Sequence, residues 1–111
     1  MLDWNGYRGE LMGAIGDIAK LNPDLMKGHD TLAASATAGK VLDAKTRELI
    51  AIAVAVTTRC DGCIAVHTQA AKDAGASKEE IMEALTVAVA LNAGAALVYS
   101  ARAMDALASA T

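Results

Sequence analysis

The only two cysteines of the chain stand three residues apart, at Cys60 and Cys63, and His67 follows four residues later. Each helical residue turns about 100° around the axis, so Cys63 and His67 would lie within roughly 60° of Cys60 on one helix face. Two thiols beside a proton acceptor can form and reopen a disulfide, because one thiol intercepts a mixed disulfide or sulfenic acid on the other. The spacing therefore predicts a redox centre.

A reactive cysteine must be a thiolate, and the surroundings of the pair favour that form. The pair is predicted at a helix N-terminus, where the dipole and the free N–H groups stabilise negative charge. Arg59 directly precedes Cys60, and His67 is spaced to accept the proton of Cys63 directly or through one water. Gly62 lacks a side chain, so we expect a substrate or a partner backbone to approach the pair there.

A base in a redox cycle needs a group that orients it, and Glu48 is the candidate. It lies twelve residues before Cys60, where a polar segment becomes apolar. The spacing alone equally allows Glu48 to be a solvated residue of a polar first helical turn.

Two other interpretations of the cysteines remain open, namely half of a zinc site or inert buried thiols. Zinc in a structural site needs four ligands, and only His67 and His29 remain as nitrogen donors. His29 stands among Leu25, Met26 and Leu32, so we expect it to be a partly buried packing residue.

The scaffold that positions these residues is predicted to be all-α, with about six helices and short connections. Apolar residues recur at helical spacing, and no strand-like alternation is present. The predicted helices are 7–21, 23 to about 38, 44–57, one capped near Thr58 or Arg59 that runs to 74, one from 78 through 89, and one holding 97–107.

Local signals set these boundaries. Asp43 is a plausible N-cap for the third helix, and Gly75 is expected to end the fourth. Ser77 and Glu80 have the spacing of a capping box. The segment 92–94, Asn-Ala-Gly, is the only break signal between the fifth and sixth helices.

Length and composition predict one domain over residues 1–111. The net charge is −3 and no basic face is present, so nucleic acid is not expected as a partner. The more extended apolar stretch, residues 84–99, is interrupted at Asn92 and Gly94 and is shorter than a membrane span, so no membrane association is expected. With 54% hydrophobic residues, the helices should be buried on nearly all sides, and a second subunit is expected to cover what one small domain cannot.

The N-terminal residues do not have the pattern of a signal peptide. A Cys-x-x-Cys pair without such a segment is typical of a cytoplasmic protein whose thiols cycle, not of a secreted protein with a structural bridge. We therefore expect a cytoplasmic protein.

The segment 45–67 resembles the AhpD-like branch of the carboxymuconolactone decarboxylase superfamily, and so does the segment 74–81. The pattern Glu-x11-Cys-x2-Cys-x3-His is specific to that branch, and Glu48, Cys60, Cys63 and His67 match it at every spacing. The resemblance covers roughly residues 24–108, most of the chain.

The resemblance implies an all-helical fold that assembles as a homotrimer or homohexamer and acts as an alkylhydroperoxidase or disulfide reductase. In that family pattern Cys63 attacks the peroxide, and His67 and Glu48 relay protons. Cys60 is then the more exposed resolving thiol. A dithiol donor of the dihydrolipoyl or thioredoxin-like kind reopens the disulfide, and no cofactor beyond the Cys60–Cys63 disulfide is implied.

The chain departs from the pattern in one position that bears on activity. The best-known peroxidase of the family has a histidine between its cysteines, where this chain has Asp61 and Gly62. Two alternatives stay open beside a peroxidase: a redox-sensing or metal-binding helical oligomer with little turnover, and a carboxymuconolactone-decarboxylase-like enzyme. The decarboxylase branch typically lacks the cysteine pair, so the intact pair argues against the second.

Overall fold

A computed structural model describes all 111 residues, and they form five α-helices without a strand. The helices are α1 (Trp4–Leu21), α2 (Pro23–Thr37), α3 (Ala44–Thr57), α4 (Asp61–Asp73) and α5 (Lys78–Ser109). The predicted all-α class is confirmed, with five helices in place of about six.

The missing boundary is the break expected at 92–94, and that prediction was wrong. Helix α5 runs for 32 residues through this segment. The Asn92 side chain donates to the Ala88 carbonyl at 2.7 Å, one turn back along the helix. One helical glycine, Gly94, costs only about 1 kcal/mol relative to alanine. Strong helix formers on both sides outweigh that cost.

The other helix ends follow their local signals closely. Asp43 caps α3 by accepting from the Thr46 N–H at 2.8 Å, and Ser77 and Glu80 form the expected capping box. Gly75 ends α4 in the left-handed region, with φ +86. Helix α1 begins three residues before the predicted start, because the Asp3 side chain accepts from Gly6 N–H and caps it.

Helix α3 lies at the centre of the packing. It contacts α4 on one side and α5 on another, while α1 contacts both α4 and α2. The fully buried side chains lie on the three helices α3, α4 and α5, and all but one are alanine, which lets the backbones approach closely. They are Ile52, Ala55, Ala65, Ala71 and Ala88.

An ion pair joins the beginnings of α3 and α5. Lys45 Nζ lies 2.8 Å from Glu80 Oε1. The hydrogen bond from Lys45 lowers the pKa of Glu80, and the backbone N–H of Ser77 adds to this. The same hydrogen bond raises the pKa of Lys45. Both shifts favour the charged pair near neutral pH.

A single chain leaves much of its apolar surface uncovered. Only 5 of 111 residues are buried within one chain, so the predicted burial of the helices on nearly all sides would require a second subunit. Every residue of the segment 89–111 is exposed. The radius of gyration is 18.1 Å, where a compact domain of this length has about 13 Å. The second half of α5 therefore lies beyond the packed part of the molecule.

Helix α5 is long and apolar enough to cross a membrane, with a mean hydropathy of 1.8 over its most apolar window. The sequence predicted that this apolar stretch is interrupted and too short to span a membrane. That prediction was wrong, because α5 is an unbroken helix of 32 residues. A single helix of this kind does not by itself establish a membrane span, because buried core helices of soluble proteins can be as long and as apolar, although only 6% of this window is buried. The expected lack of membrane association stays a prediction.

Candidate functional site

Cys60 and Cys63 form a disulfide with their Cα atoms 5.2 Å apart. Cys60 is the N-cap of α4, and its Sγ accepts from the Cys63 N–H at 3.1 Å. The prediction of a cap near Thr58 or Arg59 is confirmed, because the N-cap is the next residue, Cys60. The sulfur of Cys60 takes the place of the oxygen that usually satisfies a free N–H at a helix start.

The turn before the pair explains where the cap falls. Thr58 ends α3, and its hydroxyl donates to the Val54 carbonyl at 3.0 Å. Arg59 follows in the left-handed region with φ 53, and the Cys60 N–H donates to the Ala55 carbonyl at 3.1 Å. This is the closing bond of a Schellman motif. The end of α3 and the start of α4 thus share Cys60, which holds the disulfide at the junction of the two helices.

Glu48 and His67 are hydrogen-bonded partners. Glu48 Oε2 lies 2.7 Å from His67 Nδ1. The Glu48 side chain is 19% exposed, so its interpretation as a solvated first-turn residue does not hold. A carboxylate on Nδ1 orients the imidazole ring and leaves the other ring nitrogen of His67 for a reacting group.

Cys63 and His67 share one wall of a cavity of about 530 Å³. The rest of the wall comes from the end of α2, the segment 39–42 and one face of α3. Eight of its thirteen lining residues are hydrophobic. Cys60 and Glu48 do not line it. The cavity therefore presents one sulfur and one imidazole to a molecule bound there.

Helix α1 covers the other side of the cysteine pair. A Cβ atom on Gly62 would lie 2.8 Å from Leu11 Cδ2, so Leu11 packs directly over the glycine between the cysteines. One turn away, Arg8 Nε donates to the Ala65 carbonyl at 3.0 Å. The expectation that a substrate approaches at Gly62 was wrong, because α1 occupies that side.

The structure also bears on His29 and on the zinc-site interpretation of the cysteines. His29 is exposed and lies 3.5 Å from Asp30, so its expected role as a partly buried packing residue was wrong. No group of three or more His, Cys, Asp or Glu side chains lies close enough together to hold a metal ion. A zinc site built on the cysteines lacks a complete ligand set within one chain.

Two residues at the site were not singled out from the sequence. Arg47 lines the cavity, and the sequence offered only its position beside Glu48 as a signal. Leu11 belongs to the apolar stripe of α1, but the stripe by itself does not reveal which helix it contacts. Long-range partners of this kind become visible only when the helices are packed.

The comparisons with known proteins identify the family of the chain. The model of the carboxymuconolactone decarboxylase family matches residues 23–106, which leaves residues 1–22, with α1, and the last five residues outside. An uncharacterized protein of Haemophilus influenzae is 50% identical over 104 residues, 94% of this chain and 92% of that protein. An uncharacterized protein of the cox locus of Paracoccus denitrificans is 36% identical over 85% of both chains.

A solved structure has the same architecture. The crystal structure of a carboxymuconolactone decarboxylase family protein from Legionella pneumophila superposes with a TM-score of 0.76 and 38% identity. The match covers 93% of this chain and 92% of that one. On the family match, the relatives and the shared fold, the chain belongs to the carboxymuconolactone decarboxylase family.

Proposed function

We propose that the protein is a thiol-dependent peroxidase and disulfide oxidoreductase that cycles the Cys60–Cys63 disulfide. The observation that carries the proposal is the arrangement of Cys63 and His67 on one cavity wall, with Glu48 2.7 Å from His67 and Cys60 bonded to Cys63. This arrangement holds an attacking thiol, its base, a residue that orients the base, and a resolving thiol.

The oxidative half-reaction begins with proton transfer from Cys63 to His67. The Cys63 thiolate attacks one oxygen of a hydroperoxide, so an S–O bond forms and the O–O bond breaks. The imidazolium returns its proton to the departing alkoxide, which leaves as an alcohol. Cys60 then attacks the Cys63 sulfenic acid, water leaves, and the disulfide closes. The peroxide is reduced by two electrons and the two thiols are oxidised.

The reductive half-reaction needs a dithiol. One donor thiolate attacks the disulfide and forms a mixed disulfide, and the second donor thiol displaces it. Both cysteines return to thiols and the donor leaves as its own disulfide. A dihydrolipoyl group or a thioredoxin-like protein has the required chemistry, and we propose a donor of this class.

A thiol count after peroxide treatment tests the cycle. Reduced protein should lose two thiols per chain with one equivalent of cumene hydroperoxide and release one equivalent of alcohol. Cys63→Ser should release no alcohol. Dithiothreitol and dihydrolipoamide should each restore both thiols. The proposal fails if two thiols per chain persist and the hydroperoxide is not consumed.

The family name makes a decarboxylase-like reaction the second candidate. It predicts activity on a small lactone acid that survives alkylation of both cysteines, because no thiol takes part. Iodoacetamide treatment separates the two: loss of peroxide consumption supports the thiol cycle, and retained lactone turnover supports the alternative.

We further propose that the chain assembles as a homotrimer or homohexamer in the cytoplasm, with α5 as the main contact. One chain exposes 8370 Å². A compact monomer of 11.3 kDa exposes about 5,700 Å². The excess of about 2,600 Å² per chain is of the size that obligate subunit contacts bury. The exposed large residues of α5 from Val89 onward supply an apolar surface for this contact, including Leu91, Leu97, Val98 and Leu107.

A further inference from the structure

The cavity beside Cys63 has a polarity that a substrate must match. Ile50, Ala51 and Val54 of α3 form part of its wall, together with Val41 and Leu42 of the preceding segment. At about 530 Å³ the cavity is in the size range of small-molecule sites. Such a wall favours a ligand with an extended apolar part over a small polar peroxide, because burial of apolar surface supplies the binding free energy.

Arg47 is the one residue among the arginines, lysines, aspartates and glutamates of the chain that lines this cavity. Arg47 lines the cavity, and its guanidinium donates to the Gly39 carbonyl at 3.2 Å and to the Leu42 carbonyl. No carboxylate lies within 4.0 Å of it, since the ion pairs of the chain involve other residues. A guanidinium carries five N–H donors. Both bonds to the carbonyls come from one terminal nitrogen, so donors remain and no carboxylate is in direct contact with the guanidinium. The hydrogen bonds from Thr46 lower the pKa of Asp43 at the start of α3, and the charge of Arg47 adds to this from a longer distance.

Arg47 lies at one end of the cavity, so the two ends of the cavity differ in charge. The lining residues of α3 recur at 47, 50, 51, 54, 55 and 58, which is one face of a helix. This stripe is about 16 Å long at 1.5 Å per residue, with the cation at its start. Cys63 and His67 lie on the facing helix α4. An extended ligand along the stripe would have one end at the guanidinium and its chain against Ile50 and Val54.

We infer that this cavity binds an apolar monocarboxylate, with the carboxylate paired to Arg47 and the chain lying along α3. Only the reacting group of the substrate rests on the proposed function. If that function holds, the substrate is an acid of this kind that carries a hydroperoxide on its chain, placed against Cys63. Planar guanidinium and carboxylate groups make paired, charge-assisted hydrogen bonds. A neutral alcohol or ester of the same chain length cannot.

Binding of an unreactive probe tests the site without any turnover. Octanoate and octanol are titrated by calorimetry into the full-length protein, reduced with dithiothreitol and desalted, and protection of the free Cys63 thiol from iodoacetamide is read by mass spectrometry. Octanoate should bind about tenfold or more tightly than octanol, the ratio expected for a hydrogen bond to a charged group. Arg47→Gln should remove this preference while its amide can still donate to a loop carbonyl. Lys40→Gln is the matched control, because Lys40 is an exposed cation of the same segment outside the cavity wall.

Three results would overturn the inference: equal binding of octanoate and octanol, an unchanged preference in Arg47→Gln, or an equal loss in Lys40→Gln. Circular dichroism and melting of Arg47→Gln show whether the α2–α3 segment keeps its fold. If that variant unfolds, Arg47→Lys replaces it, and it should lower the preference without abolishing it.

The reactive substrate is tested separately. The kcat/KM for a hydroperoxide of a fatty acid, divided by that for its methyl ester, should fall about tenfold in Arg47→Gln. If octanoate binds through Arg47 but no hydroperoxide is consumed, the carboxylate site stands and the peroxidase proposal fails. If cumene hydroperoxide is consumed but octanoate does not bind, the peroxidase proposal stands and the carboxylate site fails.

Discussion

At the scale of residues, the site depends on a few contacts that each have one chemical consequence. Cys60 caps α4 with its sulfur, and Cys63 lines the cavity. Glu48 holds Nδ1 of His67, so a single tautomer and ring orientation are favoured. The two cysteines therefore differ in surroundings although they are three residues apart, and this difference underlies the proposed division into an attacking and a resolving thiol.

The first prediction concerns the proton relay. His67→Gln should lower kcat/KM for hydroperoxide by about 10²- to 10⁴-fold, because the base is lost. Glu48→Gln should cost about 10- to 100-fold, because His67 remains but loses its orienting carboxylate. Both are measured as peroxide consumption with dihydrolipoamide as donor.

His29→Gln is the control for this pair of variants. His29 is the other histidine of the chain and is exposed, with only Asp30 beside its ring. It should keep wild-type activity within about twofold, as expected for a surface change away from the site. Equal losses in His67→Gln and His29→Gln would contradict the relay.

At the scale of elements, α1 and the junction of α3 with α4 fix the cysteine pair. Leu11 packs over Gly62, and Arg8 bonds the Ala65 carbonyl one turn later. Arg8 and Leu11 are three residues apart on α1, and Gly62 and Ala65 are three residues apart on α4. Each pair lies on one face of its helix, so the two helices contact each other along these faces. The N-terminal helix lies outside the family match at 23–106, yet it covers one side of the pair.

The second prediction measures the contact between Leu11 and Gly62. Alanine is the better helix former, so Gly62→Ala should stabilise the fold by up to about 1 kcal/mol where space allows. With Leu11 present, the new Cβ would lie 2.8 Å from its Cδ2, so the gain should be lost or reversed. In a Leu11→Ala background the gain should appear. Urea unfolding of the wild type, the two single variants and the double variant gives the coupling free energy between positions 11 and 62.

Gly28→Ala serves as the reference for this cycle. Gly28 is in α2, and a Cβ there meets nothing within 4 Å. Its effect on the free energy of unfolding should be the same in the wild-type and the Leu11→Ala backgrounds. A Gly62→Ala effect that is equally independent of Leu11 would show that the two residues do not pack as described.

The third prediction uses the ion pair between α3 and α5. Lys45 lowers the pKa of Glu80, so the charged Glu80 stabilises the fold above the pKa of the unfolded carboxyl and this stabilisation is lost as pH falls through the folded value. The pKa of Lys45 is raised in the folded protein. The stabilisation from charged Lys45 is therefore complete below the pKa that Lys45 has in the unfolded chain, and it is lost as pH rises through the pKa of the folded state. Glu80→Gln should therefore lower Tm at pH 7, and the difference from wild type should shrink as pH falls below about 4.

Glu79→Gln is the control, since Glu79 is in the same helical turn but pairs with no lysine. Its Tm difference from wild type should vary less with pH than that of Glu80→Gln. A Glu80→Gln difference that is constant between pH 3 and pH 7 would remove the electrostatic explanation.

At the scale of the whole molecule, the dominant feature is apolar surface without a partner. Helix α5 is about 48 Å long, and its residues from Val89 onward are all exposed. Its only inter-helix packing of any extent is against α3. Exposed apolar surface on this scale is typical of subunit contacts, and we propose a second copy of the chain as its partner.

The fourth prediction is the assembly itself. Light scattering coupled to gel filtration, without detergent, should give three or six times the 11.3 kDa chain mass. Leu97→Glu should shift the protein to smaller species, because an unpaired charge in an apolar contact is costly. Ser109→Glu adds the same charge at the end of the same helix and should leave the mass unchanged.

Two results would contradict this prediction. One is a monomeric mass for the wild-type protein in solution. The other is solubility only in detergent, which would make α5 a membrane helix in accord with its length and hydropathy.

The sequence by itself determined the helical class and most helix ends, because these depend on local periodicity and capping. The spacing of the cysteines and His67, together with the family resemblance for Glu48, also selected the four residues of the proposed redox site. Asp43, Gly75 and the Ser77–Glu80 box acted as expected. The tertiary structure alone decided that α5 continues through Asn92 and Gly94, that Leu11 covers Gly62, and that Arg47 faces the cavity. These outcomes depend on contacts between residues far apart in the chain. The helical periodicity of apolar residues shows which face of a helix is apolar, but it does not show which element packs against that face.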